Sequence, residues 1–77
     1  MNDITTLADL PRGSCALVSA LCSHGSMRRR LQELGLVPGT KVECVQKSPL
    51  GDPAAYLFRG TVIALRREDS SRVLVRP

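Results

Sequence analysis

Apolar residues come in short bursts along this chain, each closed by glycine, proline or a polar cluster, and the spacing inside each burst predicts its conformation. Leu7 and Leu10, three positions apart, leave room for one helical turn within Thr6 to Leu10. Pro11 ends that turn, because the residue before a proline is pushed out of helical geometry. Arg12-Gly13-Ser14 then reads as a turn. From Cys15 to Leu21 the residues are small and mostly apolar, with no Gly or Pro among them, which predicts a first strand partly covered on both faces.

Ser23-His24-Gly25-Ser26 is a loop in which Ser23 or Ser26 is placed to cap a following helix. Between Met27 and Leu34 the apolar positions are 27, 31 and 34, which gather on one helical face at about 100° per residue. Arg29 takes the opposite side, flanked by Arg28 and Gln32 on one hand and by Arg30 and Glu33 on the other. Gly35 is the C-cap candidate, since glycine enters the left-handed region without steric cost. A helix of two turns is unstable alone in water, so its leucine face must lie on something.

Val37-Pro38-Gly39-Thr40 is a turn in which proline pre-sets its own φ and glycine follows. Lys41 to Lys47 alternates, with Val42 and Cys44 facing one way and Lys41, Glu43 and Lys47 the other; Val45 departs from the pattern. Ser48-Pro49-Leu50-Gly51-Asp52-Pro53 is a tight loop, shaped by Pro49, Gly51 and Pro53, in which the Asp52 carboxylate can accept backbone N–H bonds of its own turn. Ala54 to Arg59 is a strand, and Thr61 to Arg66 is another with Thr61, Ile63 and Leu65 on one face. Gly60 between them fits a hairpin turn or a bend or bulge. Glu68 to Ser71 is a polar turn, and Arg72 to Arg76 is a last strand in which Val73 and Val75 share a face. The whole is mainly β: five short strands with a short amphipathic helix (about 27–34) after the first, the pattern of a small barrel. Antiparallel closure would remove the exposed strand edges that invite aggregation. No repeat or linker divides the chain, and 1–77 reads as a single domain.

The 77 residues bury about 60% of their unfolded surface by area scaling, which permits a core with little to spare. With 43% hydrophobic and 23% charged residues the composition is globular, not disordered. No apolar run approaches the roughly 18–20 residues of a membrane span. Met1-Asn2-Asp3-Ile4 carries acid where a signal peptide carries Lys or Arg, so a cytoplasmic location is expected. Cys15, Cys22 and Cys44 are odd in number and form no Cys-x-x-Cys pair, which fits buried or half-buried thiols in a reducing compartment. Lys and Arg number 11 against 7 Asp and Glu, a net charge of +4, and only Arg28-Arg29-Arg30 forms a run. Such a field suits an acidic protein surface, a phosphate backbone or an anionic lipid, and selects none of them.

Candidate chemistry is sparse, and the chain reads as no enzyme. His24 is the only histidine, the adjacent carboxylates Glu68 and Asp69 sit in a polar turn, and no glycine-rich phosphate loop is present. Cys22 and His24 are weak metal candidates: two positions apart, they fall short of the four ligands of a structural zinc site even if Cys15 or Cys44 came near. No metal site is therefore expected. Tyr56 and Phe58 share a strand face and could stack bases on a small basic barrel, or could be core. A nucleic-acid-binding barrel is the rival reading on these residues.

Arg30-Leu31-Gln32-Glu33-Leu34-Gly35-Leu36-Val37-Pro38-Gly39-Thr40, followed by Ser48-Pro49-Leu50-Gly51-Asp52-Pro53, Arg59-Gly60 and Ala64-Leu65-Arg66, resembles the FeoA family, small proteins that accompany the FeoB ferrous iron transporter. The resemblance runs from Leu7 to Val75. It implies an SH3-like barrel, a fold shared with the C-terminal domain of iron- and manganese-dependent repressors, so a free-standing repressor-type module is a further alternative. The implied function is accessory: binding the cytoplasmic, GTP-binding portion of the transporter, peripheral to the membrane through that partner alone, with no nucleic acid and no cofactor of its own. Direct binding of ferrous iron stays an open question on these residues. Met27, Arg28, Arg29, Arg30 and Leu31 are the partner-binding candidates, and Gly35, Pro38, Gly39, Pro49, Gly51, Asp52 and Pro53 shape loops. Were the partner's GTP hydrolysis stimulated, Arg28, Arg29 or Arg30 could supply an arginine finger; the plainer reading is a solvated helix face. Leu31 likewise reads either as core or as part of a hydrophobic docking patch.

Overall fold

Alternation of apolar and polar residues carries most of the chain into one antiparallel sheet. The computed structural model describes residues 3–77. Its elements are β1 (Thr5–Thr6), a 3-10 turn (Leu7–Asp9), β2 (Cys15–Leu21), α1 (Gly25–Leu34), β3 (Lys41–Lys47), β4 (Ala54–Phe58), β5 (Thr61–Leu65), a one-turn helix α2 (Arg67–Ser70) and β6 (Val73–Arg76). The strands pair in the order β1-β6-β2-β3-β4-β5, every pair antiparallel. The five expected strands and the helix are all present. Two short elements escape the periodicity: β1, two residues long and held by β6, and α2, which replaces the expected polar turn.

The sheet bends around a core that includes Leu7, Val18, Leu31, Leu36, Val42, Cys44, Tyr56, Phe58, Val73 and Val75, each at most 2% exposed. Register shifts between Val18 and Ala20 and between Cys44 and Gln46 mark bulges, which bend a strand and raise its twist. The second of these is why Val45 departs from the alternation of β3. Two expectations are corrected. Cys15 and Leu17 on β2 are exposed, so that strand covers only one face. Among the described residues the ladder also stays open between β5 and β1, so closure does not remove the edges.

Tyr56 and Phe58 are each 1% exposed and belong to the core, which takes away the aromatic platform that base stacking would need. The Tyr56 hydroxyl donates to the Leu7 carbonyl at 3.3 Å and ties β4 to the 3-10 turn. Burial pushes its phenol above the ordinary value of 10.0, against a smaller opposing pull from the Ser70 hydroxyl. A phenol raised in the folded state binds its proton longer there than in the unfolded chain. Stability is thus full below pH about 10 and falls as pH rises toward the folded-state value. Tyr56→Phe should cost about 1 kcal/mol at neutral pH for the lost hydrogen bond. It should also flatten this alkaline decline, as followed by thermal unfolding between pH 8 and 11. An unchanged decline in the variant would assign it to other groups.

Candidate functional site

Helix α1 carries the partner-binding candidates, and its two ends explain where they point. At its start neither expected serine caps it: His24 occupies the N-cap position without a side-chain bond, Ser26 lies inside the helix, and Ser23 is 2% exposed. The physical reason is the alternation continuing out of β2, which turns Ser23 inward and leaves Cys22 and His24 outward and exposed. At its end Gly35 adopts φ 101°, with Gly35 N–H donating to the Gln32 carbonyl at 3.0 Å and Leu36 N–H to the Leu31 carbonyl at 2.9 Å. This is a Schellman motif, and its hydrophobic contact is supplied by Leu31 and Leu36, both 0% exposed.

The inward face therefore consumes Leu31 entirely, while Met27 and Leu34 are half-buried against the same core. Leu31 is withdrawn from any docking patch. Arg28 is exposed, but one of its N–H groups is committed: Nη1 donates to the Leu21 carbonyl at 2.7 Å and pins the helix to the end of β2. Arg29 and Arg30 are exposed, and no ion pair holds them among the described residues. Of the five candidates, these two are the exposed cations with no intramolecular bond to their side chains among the described residues.

A third cation joins this end of the molecule, and the hydropathy pattern alone does not find it. Phe58 pairs with Thr61, so Arg59 and Gly60 form a two-residue hairpin turn with φ 50° and 74°. Positive φ at both positions is the type I′ pattern, which resolves the hairpin-or-bulge alternative. Arg59 is the only non-glycine residue with positive φ among those described, and its side chain lies across Gly35; a Cβ there would stand 2.5 Å from Arg59 Cδ. Its guanidinium stem thus crosses the C-terminal end of α1, where the helix dipole favours positive charge. Beside it an open depression of about 270 Å³ is lined by Lys41, Glu43 and Leu57 among others. The available signal was the Arg-Gly pair between two apolar runs.

The loop residues behave as shapers, with one correction. Thr40 N–H donates to the Val37 carbonyl at 3.0 Å, and Gly39 has φ 92°, closing the Val37–Thr40 turn around Pro38. Gly51 N–H donates to the Ser48 carbonyl at 2.7 Å, inside a loop that holds Pro49 and Leu50 in solvent. Asp52 does not serve its own turn: its Oδ1 accepts from the Arg67 N–H at 2.9 Å, fifteen residues on, and so anchors the loop to α2. No group of three His, Cys, Asp or Glu side chains comes together among the described residues, and of the three thiols expected to be buried or half-buried Cys44 is buried while Cys15 and Cys22 are exposed. No described helix is long and apolar enough to cross a membrane. The arrangement offers exposed cations on a folded surface.

Comparison with known proteins places this geometry. The FeoA domain family matches residues 5–77. A fused Fe(2+) transport protein A/Fe(2+) transporter FeoB polypeptide of Porphyromonas gingivalis is 35% identical over 69 residues, which are 90% of this chain and 8% of that one. The solution structure of the FeoA protein of Chlorobium tepidum superposes with a TM-score of 0.88 at 33% identity, covering 94% of this chain and 69% of the other. Stenotrophomonas maltophilia FeoA, a prokaryotic SH3 domain protein crystallised with zinc, gives a TM-score of 0.83 at 36% identity over 92% of this chain and 88% of its own. A manganese-dependent transcriptional repressor shares the fold alone, with a TM-score of 0.85 at 10% identity over 99% of this chain and 42% of the repressor.

Proposed function

The chain belongs to the FeoA family, and from that premise we propose that it is an accessory protein of ferrous iron transport that docks on the cytoplasmic, GTP-binding portion of a FeoB-type transporter. The observation that carries the reading is the relative in which a FeoA module and a FeoB transporter form one polypeptide, since a permanent tether makes sense for two parts that work in contact. The outer face of α1 supports it from the side of chemistry. Arg29 and Arg30 are exposed, with no ion pair among the described residues, on a helix whose position is fixed from within by Leu31 and from the flank by Arg28. Cations held on a rigid element steer and orient an acidic partner without covalent chemistry. With one Arg28 N–H held by the Leu21 carbonyl, Arg29 and Arg30 are the arginines freest to reach toward a bound nucleotide.

Calorimetric titration of the full chain into the transporter's cytoplasmic portion, with and without GTP, tests this. Saturable binding is expected, and the Arg29→Glu/Arg30→Glu variant should bind roughly tenfold more weakly, on the order of 1.4 kcal/mol, with unchanged thermal unfolding. Absence of binding at high micromolar concentration in both nucleotide states would sink the reading. Binding indifferent to the charge reversal would remove α1 from the contact.

A further inference from the structure

Strand β5 ends the sheet, and nothing among the described residues pairs with its outer side. The type I′ turn fixes which backbone groups are free. Phe58 and Thr61 flank a two-residue loop and so form a hydrogen-bonded pair; counting outward, Tyr56 and Ile63, then Ala54 and Leu65, are hydrogen-bonded pairs too. The N–H and C=O groups of Val62 and Ala64 therefore point away from β4, along the open edge. Both residues are exposed, Val62 at 57%. Native edges of this length are usually blunted by an inward charge, a proline or a bulge. Thr61-Val62-Ile63-Ala64-Leu65 has none of these, and its pairing with β4 is regular throughout. The opposite edge, β1, is protected by being only two residues long.

We propose that β5 is a strand-addition edge that takes an extended segment of a partner protein, with β-branched apolar residues between acidic ends. The charge at the edge chooses this occupant. Arg59 stands exposed at one end and Arg66 at the other, and neither makes an ion pair among the described residues. The extended backbone of Arg66, φ −73° and ψ 154°, continues the strand direction. A second copy of this chain is the wrong occupant. Antiparallel self-pairing about Ile63 would bring Arg59 of each copy to the Arg66–Arg67 end of the other, and opposed like charges destabilise a pair of strands. A segment with carboxylates seven positions apart, roughly 23 Å in extended chain, spans the distance between the two arginines, Arg66 directly and Arg59 once its side chain swings off Gly35. Val62, whose side chain shares the outer face with Leu57, offers its β-branched neighbours a continuous apolar row. The inference rests on the docking reading only for the identity of the protein that carries the segment.

The test uses the full 77-residue chain, labelled with nitrogen-15, and a synthetic peptide, acetyl-Glu-Thr-Val-Thr-Val-Ile-Thr-Glu-amide, so that its outcome does not depend on the transporter. Saturable shifts of the Val62 and Ala64 amide signals are expected, lost when the terminal Glu residues of the peptide are replaced by Lys. Ala64→Pro removes the donor that faces the open edge and should abolish binding while the Phe58 and Val73 amide signals, distant in sequence from the substitution, keep their positions. Should that variant fold poorly, a peptide methylated on alternate backbone nitrogens replaces it, and loss of binding is again expected. Absent saturable shifts, shifts centred on α1, equal binding of the Lys-ended or methylated peptide, or dimerisation of the free chain through β5 would each overturn the proposal.

Discussion

Leu31→Ala is expected to destabilise the fold by about 2–5 kcal/mol, the range for deleting a buried leucine side chain and leaving a cavity. Leu31 is 0% exposed, packs in the core beneath α1 and supplies one half of the hydrophobic contact that closes the helix. Small domains have roughly 5–15 kcal/mol of stability in all, and a chain of this size sits toward the lower end. Much of the variant should therefore be unfolded at 37 °C. Urea unfolding followed by circular dichroism checks this, with the midpoint lowered and the slope unchanged. A docking residue would behave in the opposite way, binding lost and midpoint kept. That result would mean the helix packs differently on the sheet.

Gly35→Ala should be the next most damaging change, at about 2 kcal/mol. Two separate effects add to reach it. An alanine at φ 101° meets the left-handed penalty of roughly 1–2 kcal/mol. Its Cβ would also stand 2.5 Å from Arg59 Cδ and 3.0 Å from Arg59 Nε, so the arginine must swing off the end of α1. A charge lost from a helix C-terminus costs about 0.3–1 kcal/mol more. The arginine side chain is flexible enough to move, which is why the steric part stays small. A double-mutant cycle with Arg59→Ala separates the effects, because the backbone penalty survives the removal of Arg59 and the clash does not. Strict additivity in thermal or urea unfolding would show that the two residues do not touch in solution.

These two positions also mark how far the sequence is legible. The bounds of β2 follow from a small apolar run free of glycine and proline, and those of β3 from alternation, each flanked by turn residues. Gly35 as the helix end, and Val73 with Val75 on one strand face, follow in the same way, and the structure buries that face. The periodic signal fails where an element is too short to have a period: β1 is two residues held by β6, and α2 is a single turn. It fails again where a polar side chain has a choice of partner. Asp52 prefers the distant Arg67 N–H to its own turn, and Ser23 turns inward because β2 carries its alternation one step further.

Sequence by itself determined the fold class, the helix and its apolar stripe, the cationic run beside it, and, through the motifs around Gly35 and Asp52, membership of a family tied to ferrous iron transport. All of these depend on residues near one another in the chain, where geometry is set by local sterics and periodicity. Only the tertiary structure decided that Leu31 is core, that Arg28 donates to the Leu21 carbonyl, that Arg59 crosses the helix end, and that, among the described residues, Arg29 and Arg30 make no ion pair and β5 ends the sheet. Each of those depends on which distant surface a side chain or strand meets. Burial and pairing are properties of that contact, and one strand's own residues do not specify it.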